Sequence, residues 1–96
     1  MFHHIVALSF KKPLEAKDED YIVGVCQTMQ RELPGVIGIQ FVENLSIRSP
    51  AYTHAFITSF VDETAHRHYQ EAPVHAPLKN KILELIDDIV VFDYET

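Results

Sequence analysis

Apolar and polar side chains alternate along the start of the chain: His4, Val6, Leu8 and Phe10 share one face, and Ile5, Ala7 and Ser9 share the other. A period of two is the pleat of a β-strand, so residues 3–11 are predicted extended, with Pro13 ending the run. The period then changes. Tyr21, Ile22, Val25, Cys26, Met29 and Leu33 fall on one helical stripe, which predicts a helix over 17–33 stopped by Pro34-Gly35. Residues 36–44 return to strand character. A polar loop from Ser46 to Pro50 leads into a third strand at about 52–61.

Asp62 has the chemistry of a helix N-cap, predicting a short helix that reaches residues 69–71. Pro73 and Pro77 bracket the start of a further helix over about 75–86, with Leu78, Ile82, Leu85 and Ile86 inward. Asp87 and Asp88 precede a last strand that begins at Ile89. The order β-α-β-β-α-β is the split unit of an α+β, ferredoxin-like domain with a four-stranded antiparallel sheet. A chain of 96 residues without repeats or linkers is one domain, 1–96.

The strand pattern carries a second message. The last strand presents Ile89 and Val91 one way and Val90, Phe92 and Tyr94 the other, so both of its faces are apolar. Two helices can cover only one face of a four-stranded antiparallel sheet, and a face meeting water is normally polar. A second copy of the sheet is the simplest cover, which predicts a homodimer.

Composition narrows the partners. A net charge of −6 with scattered lysines argues against nucleic acid and against an anionic membrane surface. No apolar run approaches the roughly 20 residues that span a bilayer. The N-terminus alternates like a strand and has no basic region of a signal peptide. One cysteine, Cys26, cannot form an internal disulfide, and a cytoplasmic location is the expectation.

The stretch from Tyr52 to His75 holds the densest chemistry. A strand carries His54, a short helix ends near Tyr69, and His75 opens the next helix behind Pro73. Imidazole removes a proton beside a carbonyl at neutral pH without large tuning. A helix start lowers the pKa of His75 further, and Tyr69 could donate a hydrogen bond to a developing enolate. His4 and His54 are in register with Leu8 and Phe56, so both imidazoles are expected to face the helices. Each residue also has a plain structural reading: His75 as a cap whose imidazole bonds the Tyr69 region or a loop carbonyl, His4 and His54 as bonded core histidines, Tyr69 as a core aromatic with its hydroxyl satisfied. Cys26, on the inner stripe of the first helix, reads as a small hydrophobe.

Metal chemistry finds little in the spacing. His3 and His4 point to opposite faces of a strand, and His66 and His68 do not share a helical face. Glu63-x-x-His66 occurs once where bridged sites need two, and neither Cys-x-x-Cys nor His-Glu-x-x-His is present. No specific metal site is expected. Gly24, Gly35 and Gly38 form no phosphate loop, so no nucleotide cofactor is expected either.

Several pieces together resemble the stress-responsive dimeric α/β-barrel (Dabb) family: the opening His4-Ile-Val-x-Leu-x-Phe10, the turn Leu33-Pro-Gly-Val36, Tyr52-Thr-His54, Phe60, Tyr69-x-x-x-Pro73-x-His75 and Phe92-Asp-Tyr94. The resemblance implies a ferredoxin-like monomer whose sheet pairs with a second copy to close a homodimeric α/β barrel. A plant polyketide cyclase of that family is similar in these motifs. The likeness would make His75 a base assisted by Tyr69, with His4 and His54 as further pocket histidines. Cys26 stands where that cyclase has a pocket tyrosine.

Three readings follow. The first is a pocket for a small, largely apolar ligand, lined by Val6, Leu8, Phe56, Tyr69 and Leu78 with His54 and His75 as polar contacts. The second is a cofactor-independent cyclase, isomerase or lyase in that pocket, or a cofactor-free monooxygenase of the related barrels. The third is a structural stress-response dimer.

Overall fold

The computed structural model describes all residues, 1–96. Its elements run β1 (Phe2–Phe10), α1 (Ala16–Glu32), β2 (Val36–Glu43), β3 (His54–Phe60), α2 (Glu63–Glu71), α3 (His75–Leu85) and β4 (Ile86–Glu95). The four strands pair antiparallel in the order β2-β3-β1-β4, so the two central strands are the non-sequential pair β1 and β3. This is the ferredoxin-like arrangement the alternation of periods predicts. No helix is long and apolar enough to cross a membrane.

One boundary differs from expectation. β4 begins at Ile86, directly after α3, and takes Asp87 and Asp88 into the strand. Phe10 pairs with Ile86 and Ser9 with Asp88, so Asp87 is the extra residue of a bulge. The acidic pair is exposed, and Asp88 accepts a hydrogen bond from the Tyr52 hydroxyl. Acidic residues here therefore mark a bulge and not the end of the ladder.

All three helices lie on one face of the sheet. The core under them is built from Val6, Leu8, Phe56 and Phe60 of the strands, Ile22, Cys26 and Met29 of α1, Tyr69 of α2, and Leu78 and Ile82 of α3. Fully burying a side chain such as Leu8, Ile22, Met29 or Phe60 contributes about 1.5–3 kcal/mol. On α1 the contact stripe runs Asp18, Ile22, Cys26, Met29, leaving Tyr21 exposed where the sequence pattern placed it inward. Asp18 is buried because Lys81 of α3 holds its carboxylate at 3.0 Å, tying the two helices together.

Two local devices set the helical layer. Gly35 turns the chain from α1 into β2 at φ 79°, a conformation that L side chains rarely adopt. A Cβ at Gly35 would lie 2.6 Å from the Cβ of Ala65, so the absent side chain also admits α2. Asp62 caps α2 as expected, accepting from the Ala65 backbone N–H at 2.9 Å.

The other sheet face has no cover. Val42, Val90, Phe92 and Tyr94 are all exposed on it, and Phe92 keeps 63% of its surface in contact with solvent. His3 also lies on this face, stacked on Tyr94 at 4.5 Å and bonded to Ser59 Oγ at 3.0 Å.

Candidate functional site

A cavity of about 310 Å³ opens between the β1–β4 half of the sheet and helices α2 and α3. Strand alternation supplies its floor: His4 and Val6 from β1, Phe56 from β3, Ile89 and Val91 from β4. Tyr69 and Gln70 of α2 and His75, Leu78, Lys79, Ile82 and Leu83 of α3 form the rest. The walls are mainly apolar, with a few polar groups converging, the usual make-up of a small-molecule site.

Pro73 follows α2, and the turn behind it aims His75 back at Tyr69, ring centroids 4.5 Å apart. The N-cap of α3 is Val74, and no side chain caps that helix. His75 therefore does not cap its own helix, and its ring reaches instead to a carbonyl beside Tyr69, the contact its structural reading names. Its Nδ1 lies 3.4 Å from the Gln70 carbonyl, a long contact in which Nδ1–H donates and Nε2 is left as the basic nitrogen. Burial pushes the His75 pKa below its ordinary value against the opposing pull of the Gln70 carbonyl, and Lys79 and His4 push the same way as burial. Loss of water around the ring, first of all, keeps this imidazole neutral near pH 7.

Tyr69 is almost wholly buried as a residue and lines the cavity, and no protein group hydrogen-bonds its hydroxyl. Burial raises its pKa well above the ordinary tyrosine value, so it stays a protonated donor beside the cavity. His4 sits on the floor with Nδ1 bonded to the Asp93 carboxylate across the β1–β4 ladder, where the two residues are register partners. That bond fixes the orientation of the His4 ring.

The cavity brings together six of the residues singled out in the sequence: His75, Tyr69, His4, Val6, Phe56 and Leu78. Three others lie elsewhere. Leu8 is fully buried in the core. Cys26 is buried under α1, and loss of solvent pushes its thiol up to about 11, which suits a packed hydrophobe and not a nucleophile. His54 faces the helices as expected but stands near the opposite end of the strand pair, opposite Leu8. It stacks on Phe41 at 5.1 Å, meets Phe10 edge-on at 5.5 Å and pairs Nδ1 with the Thr53 hydroxyl at 2.8 Å. Phe41 and Phe56, in contact at 4.9 Å, stand in its way. One turn of the pleat, about 6.8 Å along the strand, is enough to remove it from the site.

Sequence reasoning missed Asp93 and His66. Asp93 follows Ile89 and Val91 on the inward register of β4, so a lone carboxylate on an apolar face was the signal available. His66 lies behind His4, outside the cavity lining, stacked on Phe2 at 4.5 Å and tilted against His4 at 4.6 Å. Its Nε2 is buried without a hydrogen-bond partner. Burial and the neighbouring His4 lower its pKa, with Asp93 and Glu63 acting against them.

The family model of the stress responsive A/B barrel domain, Dabb, matches residues 2–96. Among solved structures, a dimeric ferredoxin-like protein from Jannaschia sp. superposes with a TM-score of 0.88 at 22% identity, covering 99% of this chain and 98% of that one. A protein from Arabidopsis thaliana gives 0.84 at 20% identity over 100% of this chain and 95% of its own. A hydroxynitrile lyase from Passiflora edulis gives 0.82 at 22% identity over 97% and 90%. At these identities the likeness is one of fold. No curated protein matches the chain by sequence.

Proposed function

We infer, for a chain that belongs to the stress responsive A/B barrel domain family, that the cavity binds a small, largely apolar carbonyl compound and exchanges a proton with it. His75 Nε2 is the base, and the Tyr69 hydroxyl donates a hydrogen bond to the oxygen on which charge develops. One observation carries this reading. A neutral imidazole and an unbonded phenol sit 4.5 Å apart, ring to ring, against the same apolar cavity. The Tyr69 hydroxyl has no protein hydrogen-bond partner that a ligand oxygen would have to displace. His4, oriented by Asp93, supplies a second polar contact on the floor. Such chemistry asks for positioned acid and base groups and no cofactor.

The Passiflora edulis relative is a hydroxynitrile lyase, which makes a lyase a natural member of the same proposal. The uncovered apolar face supports assembly as a homodimer, as does the dimeric description of the Jannaschia structure.

The test is deuterium exchange at the carbon beside the carbonyl in a panel of small aryl ketones, followed by NMR. The native protein is expected to accelerate exchange. His75→Ala should abolish it with little change in thermal stability, and Tyr69→Phe should slow it by roughly a hundredfold. Ligand signals that shift on binding without exchange would leave a binding pocket and remove the base. Neither binding nor exchange, with a folded protein, would favour a structural dimer.

A further inference from the structure

His4 of β1, His66 of α2 and Asp93 of β4 meet at one point although they are far apart in sequence. Their candidate ligand atoms all lie within 4.8 Å of one another. We propose that these three residues bind one divalent transition-metal ion, a zinc- or iron(II)-class cation, beside the wall of the cavity.

Donor chemistry selects the class. Two imidazoles and one carboxylate suit zinc, iron(II), cobalt or nickel, whereas magnesium and calcium prefer all-oxygen sites. Around a tetrahedral ion with bonds near 2.1 Å, ligand atoms stand about 3.4 Å apart. Donor atoms that now lie within 4.8 Å of one another would have to draw in to that separation on binding. Three protein donors would leave a coordination position open, the pattern of a reactive and not a structural site.

The independent observation is the state of His66. The residue is only 7% exposed, and its Nε2 is buried without a partner. A buried ring nitrogen left unpaired is costly, and a metal ion is a partner that would meet it. The ring is also immobilised, stacked on Phe2 at 4.5 Å and edge-on to Phe60 at 5.2 Å, so little side-chain freedom remains to be lost on binding. Asp93 is the exposed member and gives the ion its path from solvent. Its carboxylate already lies in hydrogen-bond contact with His4, so the two donors are adjacent, and an ion bound by both would replace that bond with release of its proton.

This inference does not rest on the proton-transfer reading of His75 and Tyr69, neither of which is a ligand. It is tested on the full, tag-free chain, stripped with chelator and titrated with Co²⁺ alone, reading the visible absorption of the bound ion. One Co²⁺ per chain is expected, with an intense low-symmetry band. His66→Leu should abolish the band. Asp93→Asn, a change at an exposed position that spares the fold, should weaken binding roughly tenfold or more. His75→Ala should leave band and affinity unchanged. Absence of a band in the native protein would overturn the proposal. So would a band that survives Asp93→Asn unchanged but is lost in His75→Ala, since the ion would then belong to other histidines.

Discussion

The two faces of the sheet are made from the same strands and have opposite fates. The covered face holds the twelve-residue core and, within it, the polar groups His4, Thr58, His66 and Tyr69. The uncovered face shows Val42, Val90, Phe92 and Tyr94 to solvent and presents no comparable convergence of titratable groups. Side chains alternate along each strand, so His4 and Asp93 point at the helices while their neighbours His3 and Tyr94 point away. Chemistry gathers where helices close over the sheet, because only there can a ring be desolvated and a cavity walled. The open face offers area without depth, which suits association between copies.

The comparison can be broken on either side. The largest effect is expected from Phe92→Asp, which sets an unpaired carboxylate on the apolar outer face of the edge strand β4. If that face is covered by a second copy, association should weaken by about 3 kcal/mol or more, roughly a hundredfold in Kd. Light scattering at micromolar concentration would then report a monomer where the native chain reports a dimer. The helical layer, and with it the cavity, should survive in circular dichroism.

Gly35→Ala attacks the covered side instead. The new methyl meets Ala65 at 2.6 Å and the backbone sits at φ 79°, so α2 must move away from the turn. Chemical denaturation should show a loss of about 2–3 kcal/mol. The cavity should suffer with it, because α2 carries Tyr69. An unchanged midpoint would mean that α2 is not held against the α1–β2 turn.

Acid should produce the mildest effect, and it sharpens the contrast between the faces. His66 and His75 have pKa values lowered by burial, so the unfolded chain takes up protons before the native one does. Stability is whole above the ordinary imidazole value near 6.5 and falls as pH drops below it towards the lowered native values. Thermal unfolding from pH 8 to pH 5 should show this decline, and His75→Gln should flatten part of it. A native chain whose melting temperature rises on acidification would show that these rings are not held neutral by burial.

Much of the architecture was legible without coordinates. The strand at 2–10 shows in its alternation, the start of α2 in Asp62, and the break before α3 in Pro73. The apolar outer face of β4 was equally plain, since Val90, Phe92 and Tyr94 alternate with Ile89 and Val91. Half of the candidate site was also readable: His75 and Tyr69 belong to one short segment, and a single turn holds them in touch. What failed was distance along strands and between elements. His54 has the right face and the wrong depth, and the acidic pair at 87–88 reads as a boundary until the bulge opposite Ser9 and Phe10 is seen.

Sequence by itself therefore determined periods, faces and stops, since these depend on neighbours within a few residues and on the repeat of a helix or a strand. Tertiary structure alone decided which inward-facing groups meet. His4 and Asp93 are 89 residues apart and are joined by ladder register. His66, read on its own helix, lacks a partner for any metal, yet the packing of α2 over β1 sets it 4.6 Å from His4. Register and packing are collective outcomes of burying the whole apolar face at once, and no local pattern encodes them.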